Sequence, residues 1–132
     1  MPTAELSAGP IDYVDRGGDG PTLVFVHGLV MDDTLWTEVA DRLAPVARCV
    51  LPVLPLGGHK RPMRPDADLS LHGQADLLAE FVGHLGLTEV ILVSVDWGGP
   101  QLTAARHPEL FAALVLLPQV PLRTEMVFKS RL

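Results

Sequence analysis

The chain has 132 residues, enough for one domain with a hydrophobic core of its own. Residues of hydrophobic type make up 48%, which excludes a disordered segment, and a net charge of −6 argues against a nucleic-acid partner. The single cysteine, Cys49, excludes an internal disulfide and reads as a small buried hydrophobe.

Met1 to Gly9 has neither the basic start nor the apolar stretch of a secretory signal, and no apolar run reaches the length of a membrane span. A cytoplasmic protein without a membrane partner is expected. No repeat, phosphate-loop pattern or metal-spaced Cys/His set is visible, so no cofactor or metal is called for.

Ile11 to Asp15 alternates apolar and polar residues and predicts an edge strand. Arg16 to Pro21 is a turn by composition. Thr22 to Val26 is continuously apolar, as a strand buried on both faces of a parallel sheet must be. After the His27-Gly28 turn, Asp33 or Thr34 caps a helix running to about Ala44, with Leu35, Trp36, Val39, Ala40 and Leu43 at helical spacing. Pro45 ends it, and Cys49 to Leu51 gives a short strand. Pro52 to Asp68 reads as a long loop whose His59, Lys60, Arg61 and Arg64 form a solvated basic patch.

Ser70 caps a second helix, with Leu71, Ala75, Leu78, Phe81, Val82 and Leu85 on one face and Gly86 as its stop. Val90 to Val93 is a buried strand. A short helix covers about Gly99 to Arg106, with Pro100 in its first turn, where a missing N–H costs nothing. Leu114 to Leu117 is the last strand, and no period is visible from Pro118 to Leu132. The order β, β, α, β, α, β, α, β argues for an α/β fold built on a mostly parallel sheet with flanking helices. His72, His84 and His107 read as surface or capping residues, and Tyr13 and Trp36 as packing residues.

The segment Leu92-Val93-Ser94-Val95-Asp96-Trp97-Gly98-Gly99 carries the chemistry. An apolar strand runs into an acidic residue, and two glycines follow. A strand that turns sharply into a helix holds one side chain at the apex, and small residues two before and two after it keep the turn free of clashes. Ser94 and Gly98 meet that demand around Asp96. A carboxylate there implies an ester intermediate, and the dipole of the following helix favours its charged form by roughly 0.3–1 kcal/mol. The plain alternative is an Asp that only caps the helix. Ser94 is a poor apex for a serine esterase, because Leu92 lies two residues before it.

These residues resemble the Asp-Trp-Gly-Gly elbow of α/β-hydrolases of the haloalkane dehalogenase and epoxide hydrolase group, over about Ile11 to Leu117. The resemblance implies that Asp96 is the nucleophile on an apolar small molecule, displacing halide or opening an epoxide. It implies that the backbone N–H groups of Trp97 and Leu29 form the oxyanion hole, with His27 and Gly28 as the substrate-binding loop. The Trp97 indole either binds a leaving halide, as in the dehalogenases, or only packs. His27 is a turn residue in this reading and not the base. Leu29-Val30 departs from the family, where dehalogenases often carry Asn or an acid and then Pro, and epoxide hydrolases an aromatic residue and then Pro.

The family places its acid, its His base and a helical cap later in the chain. The expectation is therefore the N-terminal portion of such a hydrolase over residues 1–117, with an irregular tail over 118–132 and no turnover alone. The alternative is a non-catalytic remnant that self-associates through an exposed sheet edge.

Overall fold

The computed structural model describes residues 1–119. Six strands form one sheet: β1 (Thr3–Leu6), β2 (Gly9–Asp15), β3 (Thr22–Val26), β4 (Arg48–Pro52), β5 (Val90–Asp96) and β6 (Phe111–Gln119). Their spatial order is β1-β2-β4-β3-β5-β6. The pairs β3–β4, β3–β5 and β5–β6 are parallel, whereas β1–β2 and β2–β4 are antiparallel. The helices are α1 (Thr37–Leu43), α2 (Leu71–His84) and α3 (Gly99–Arg106).

The two-residue period of the strands sorts the core into two layers. Val24, Val26, Val50, Val90 and Leu92 point to one face, where they meet Leu77, Leu78, Phe81 and Val82 of α2. Phe25, Cys49, Leu51 and Val93 point to the other, where they meet Trp36 and Ala40. Both faces of the central strands are thus buried, which is why their sequences are apolar without alternation. Tyr13 stands edge-on to Phe81 at 5.4 Å, and Phe25 packs against Trp36 at 5.1 Å. Cys49 is fully buried, and its burial raises the thiol pKa.

Several boundaries differ from the sequence reading, each for a local reason. β1 was not anticipated. It pairs Leu6 with Gly9 in a tight hairpin, buries Ala4 and Leu6, and so starts β2 at Gly9. The first helical stretch is capped by Asp32, not by Asp33 or Thr34, because the Asp32 carboxylate accepts the Thr34 N–H at 2.9 Å. It opens as a 3₁₀ turn over Asp33–Trp36. Ser70 caps α2 as expected, its Oγ accepting the Gly73 N–H. Gly86, at φ +67°, ends that helix, with Leu87 N–H donating to Val82 O and Gly86 N–H to Gly83 O. The basic loop is pinned and not merely solvated: Arg61 pairs with Asp12 at 2.7 Å, and Arg64 donates to the carbonyls of Leu6 and Ser7. β6 runs on through Pro118 and Gln119. The rest of the expected tail, 120–132, lies outside the described residues.

Candidate active site

The helix after β3 lies on one face of the sheet and those after β4 and β5 on the other. The crevice at the carboxyl ends of β3 and β5 is therefore the switch point of the sheet, where α/β folds bind ligands. Two segments meet there: the loop from His27 to Asp32 and the turn at Asp96.

Asp96 is the last residue of β5 and has φ +79°. For a residue with a Cβ this conformation costs about 1–3 kcal/mol. The Trp97 N–H folds back onto the Val95 carbonyl at 2.9 Å, closing a γ-turn of the strained, positive-φ kind. Three contacts hold the turn. Asp96 stays in register with Gln119 of β6. The Trp97 ring is buried in the α2-side core. The Leu29 N–H donates to Asp96 Oδ2 at 2.8 Å.

The close approaches at this turn fall on two glycines. A Cβ on Gly28 would lie 2.6 Å from both Cβ and Oδ2 of Asp96, and a Cβ on Gly99 would lie 2.0 Å from Trp97 Cζ3. Gly98, singled out from the sequence as the small residue after the apex, has its nearest neighbour at 3.8 Å. The steric demand therefore sits one residue later, where the Trp97 ring crosses α3.

His27 and Trp97 depart from two of the expected roles. The His27 side chain is fully buried and cannot touch a substrate. Its Nε2 accepts the Leu54 N–H at 2.8 Å, which leaves the proton on Nδ1, 2.9 Å from Gly28 O. Burial lowers its pKa and outweighs the attraction of Asp32 and Asp33. The ring is thus neutral and bonded to backbone groups at both nitrogens. The Trp97 indole N–H donates to the His27 carbonyl at 3.0 Å. Of the two expected oxyanion donors, the structure brings Leu29 onto Asp96, whereas the Trp97 N–H is engaged with Val95. The link from His27 to Leu54 was not foreseen; a His-Gly pair straight after a buried strand is its signal in the sequence.

Beside Leu29, the loop side chains Val30, Met31 and Leu35 are exposed. With Asp32 and Thr34 they line an open hollow of ≈ 340 Å³. Among the described residues, no group of acids, histidines and cysteines is placed to hold a metal ion, and no helix is long and apolar enough to cross a membrane.

A family model described as alpha/beta hydrolase fold matches residues 21–129. The chain belongs to the α/β-hydrolase fold family. It is related to the haloalkane dehalogenase and epoxide hydrolase-like enzymes. It is 31% identical over 109 residues to a haloalkane dehalogenase of Mesorhizobium japonicum, covering 81% of this chain and 35% of that protein. It is 37% identical over 97 residues to haloalkane dehalogenase 2 of Mycobacterium bovis, covering 73% and 33%. The structure of the epoxide hydrolase CorEH matches with a TM-score of 0.79 and 26% identity, over 90% of this α/β-hydrolase chain and 42% of that one. The chain thus spans about a third of the length of these curated relatives.

Proposed function

We propose that Asp96 is the nucleophile of a hydrolase that passes through an alkyl-ester intermediate on a haloalkane- or epoxide-type substrate. The observation that carries this reading is the Leu29 N–H held on Oδ2 of a carboxylate at a strained, positive-φ turn. Attack by Oδ1 on an sp³ carbon forms a carbon–oxygen bond and breaks the bond to the leaving atom. That atom departs with the electron pair, as halide or as the alkoxide of an opened epoxide. Oδ2 becomes the ester carbonyl oxygen. When water then attacks Asp96 Cγ, negative charge develops on Oδ2, where the Leu29 donor already stands. The Trp97 N–H becomes the second donor once its bond to Val95 O is released. Val30, Met31 and Leu35, the apolar side chains lining the hollow in the same loop, suit an apolar substrate.

Ester hydrolysis needs a base to activate water. His27 is buried with both ring nitrogens engaged, His72 meets Arg106, and His107 lies beside Asp76 and Glu109. None of these three is bonded to Asp96. The base is proposed to belong to the part of the relatives' length that this chain does not span. Incubation with 1-bromohexane or styrene oxide, read by intact mass, tests this. A single stable adduct is expected on the wild-type chain, none on Asp96→Ala, and no steady release of product. An adduct that persists in Asp96→Ala removes Asp96 as nucleophile, and repeated turnover removes the need for an outside base.

A second reading, association, is favoured by β6. Its nine residues carry no charge, and Val115 and Leu116, which point to opposite faces, are 42% and 49% exposed. Exposed apolar side chains on an uncharged strand promote contact with another chain. Sedimentation is expected to show a mass that rises with concentration, reduced by Leu116→Lys and unaffected by Asp96→Ala. No response to Leu116→Lys would exclude this face as the interface.

A further inference from the structure

His27 makes three hydrogen bonds whose effects converge on Asp96, although none reaches that residue's side chain. Leu54 N–H, just past the end of β4, donates to Nε2 at 2.8 Å. A neutral imidazole whose one nitrogen accepts must carry its proton on the other. Nδ1–H therefore donates to Gly28 O at 2.9 Å. Gly28 O and Leu29 N–H belong to the same peptide unit, which is planar and trans, so they point in opposite directions. A carbonyl held inward at the His27 ring aims the N–H outward, where it meets Asp96 Oδ2 at 2.8 Å. The third His27 bond is at its carbonyl, which accepts the Trp97 indole N–H at 3.0 Å and ties down the residue after Asp96.

We propose that His27 is a positioning residue: its Nδ1–H tautomer, set by Leu54, fixes the rotation of the Gly28–Leu29 peptide and so aims the Leu29 N–H at Asp96. The relay runs from the end of β4, through a buried ring at the end of β3, to the turn at the end of β5. Met31 N–H also donates to Gly28 O, at a longer 3.3 Å, so the carbonyl is gripped from two sides while its peptide partner faces the site. Val30, next in the chain, is held at φ +58° by its own N–H bond to Leu56 O, which keeps the loop from drifting away after the peptide is set. The neutral ring matters because a protonated Nε2 would face the Leu54 N–H donor to donor.

The proposal rests on Leu29 acting as the donor to Asp96, and its test reads the peptide directly, without any turnover. In a two-bond proton–nitrogen NMR spectrum of the ¹⁵N-labelled wild-type chain, His27 is expected as the Nδ1–H tautomer. The Leu29 amide proton is expected to respond to its carboxylate acceptor, its resonance moving upfield when Asp96→Ala removes that acceptor. Two variants then separate positioning from packing. His27→Asn keeps a donor near the Nδ1 position and loses the acceptor for Leu54. His27→Gln reaches the Nε2 position and loses the donor to Gly28 O. Each loses one hydrogen bond, so a merely structural role predicts the same result for both. Positioning predicts that H27N keeps the Leu29 response whereas H27Q loses it, with amide exchange of Leu29 roughly tenfold faster, the effect of one hydrogen bond. An Nε2–H tautomer in the wild-type chain, or a Leu29 response equal in the two variants, overturns the proposal. Should either variant fail to fold, the tautomer alone decides. Loss of alkylation with an intact Leu29 response would count against the nucleophile reading and not against this one.

Discussion

Gly28→Ala is expected to slow adduct formation on Asp96 by about a hundredfold or more, the usual loss when reacting groups are displaced by about 1 Å. The new methyl would sit 2.6 Å from Asp96 Cβ and Oδ2, whereas carbon atoms pack at about 3.5–4.0 Å. Something must move by about 1 Å, and the strands cannot. Val26 is in register with Ser94, and Asp96 with Gln119, so both backbones are fixed by the ladder. The loop is the part that yields, and the Leu29 N–H leaves Oδ2 with it. Overpacking of this kind also costs about 1–3 kcal/mol of stability, which urea unfolding would register. Gly99→Ala is expected to be worse for folding, since its methyl would stand 2.0 Å from the Trp97 ring. Gly98→Ala is the control. With its nearest neighbour at 3.8 Å and φ −87°, it should be neutral or stabilising by about 0.4–1 kcal/mol. If G98A proves as damaging as G28A, the assignment of the close approach to Gly28 is wrong.

The contrast between Gly98 and Gly28 shows where sequence reasoning stops. β3, β5, α2 and the turn at Asp96 were legible because each is written in consecutive residues: an apolar run, a helical face, an acid before two glycines. The steric partner of Asp96 is 68 residues away, and no local pattern names it. β1 was missed for a different reason. Four residues, Thr3–Leu6, offer two alternations, too few to stand out, and their burial depends on β2 and α2. The roles of the basic loop residues depend on carbonyls and carboxylates of β1 and β2, which become neighbours only after folding. Of the site, the identities of Asp96, Trp97 and Leu29 were readable. Which N–H each one offers was not, because the Trp97 indole and backbone N–H groups find internal partners in Val95 and His27.

Stability is expected to fall in two separate steps as the solution is acidified, and His27 sets the first. Its pKa in the fold is lowered below the ordinary 6.5 by burial. The unfolded chain therefore takes up this proton first, so stability is complete above about pH 6.5 and declines as pH drops from there toward the folded value. Asp32, Asp33 and His59 are the charged neighbours that act on it, the two carboxylates opposing the shift and His59 adding to it. The second step belongs to carboxylates. Asp15 is lowered from 3.8 chiefly by its hydrogen bonds with Arg48, at 2.6 and 3.1 Å, and Asp32 by those with Thr34. For Asp12, burial pulls upward, but the bonds to Thr3 and Arg61 outweigh it. Such groups stabilise the fold above the unfolded value of about 3.8 and lose that effect as pH falls through the lower folded ones. Urea unfolding at a series of pH values separates the steps. H27N should flatten the limb below 6.5 and leave the acidic limb in place, whereas Arg48→Met should weaken the acidic limb alone. A limb below 6.5 that is unchanged in H27N would mean that the buried ring is not the group that titrates. Because protonation at Nε2 breaks the bond to Leu54 but leaves the Nδ1–H on Gly28 O, the Leu29 N–H should stay on Asp96 through the first limb and leave only when the loop itself unfolds.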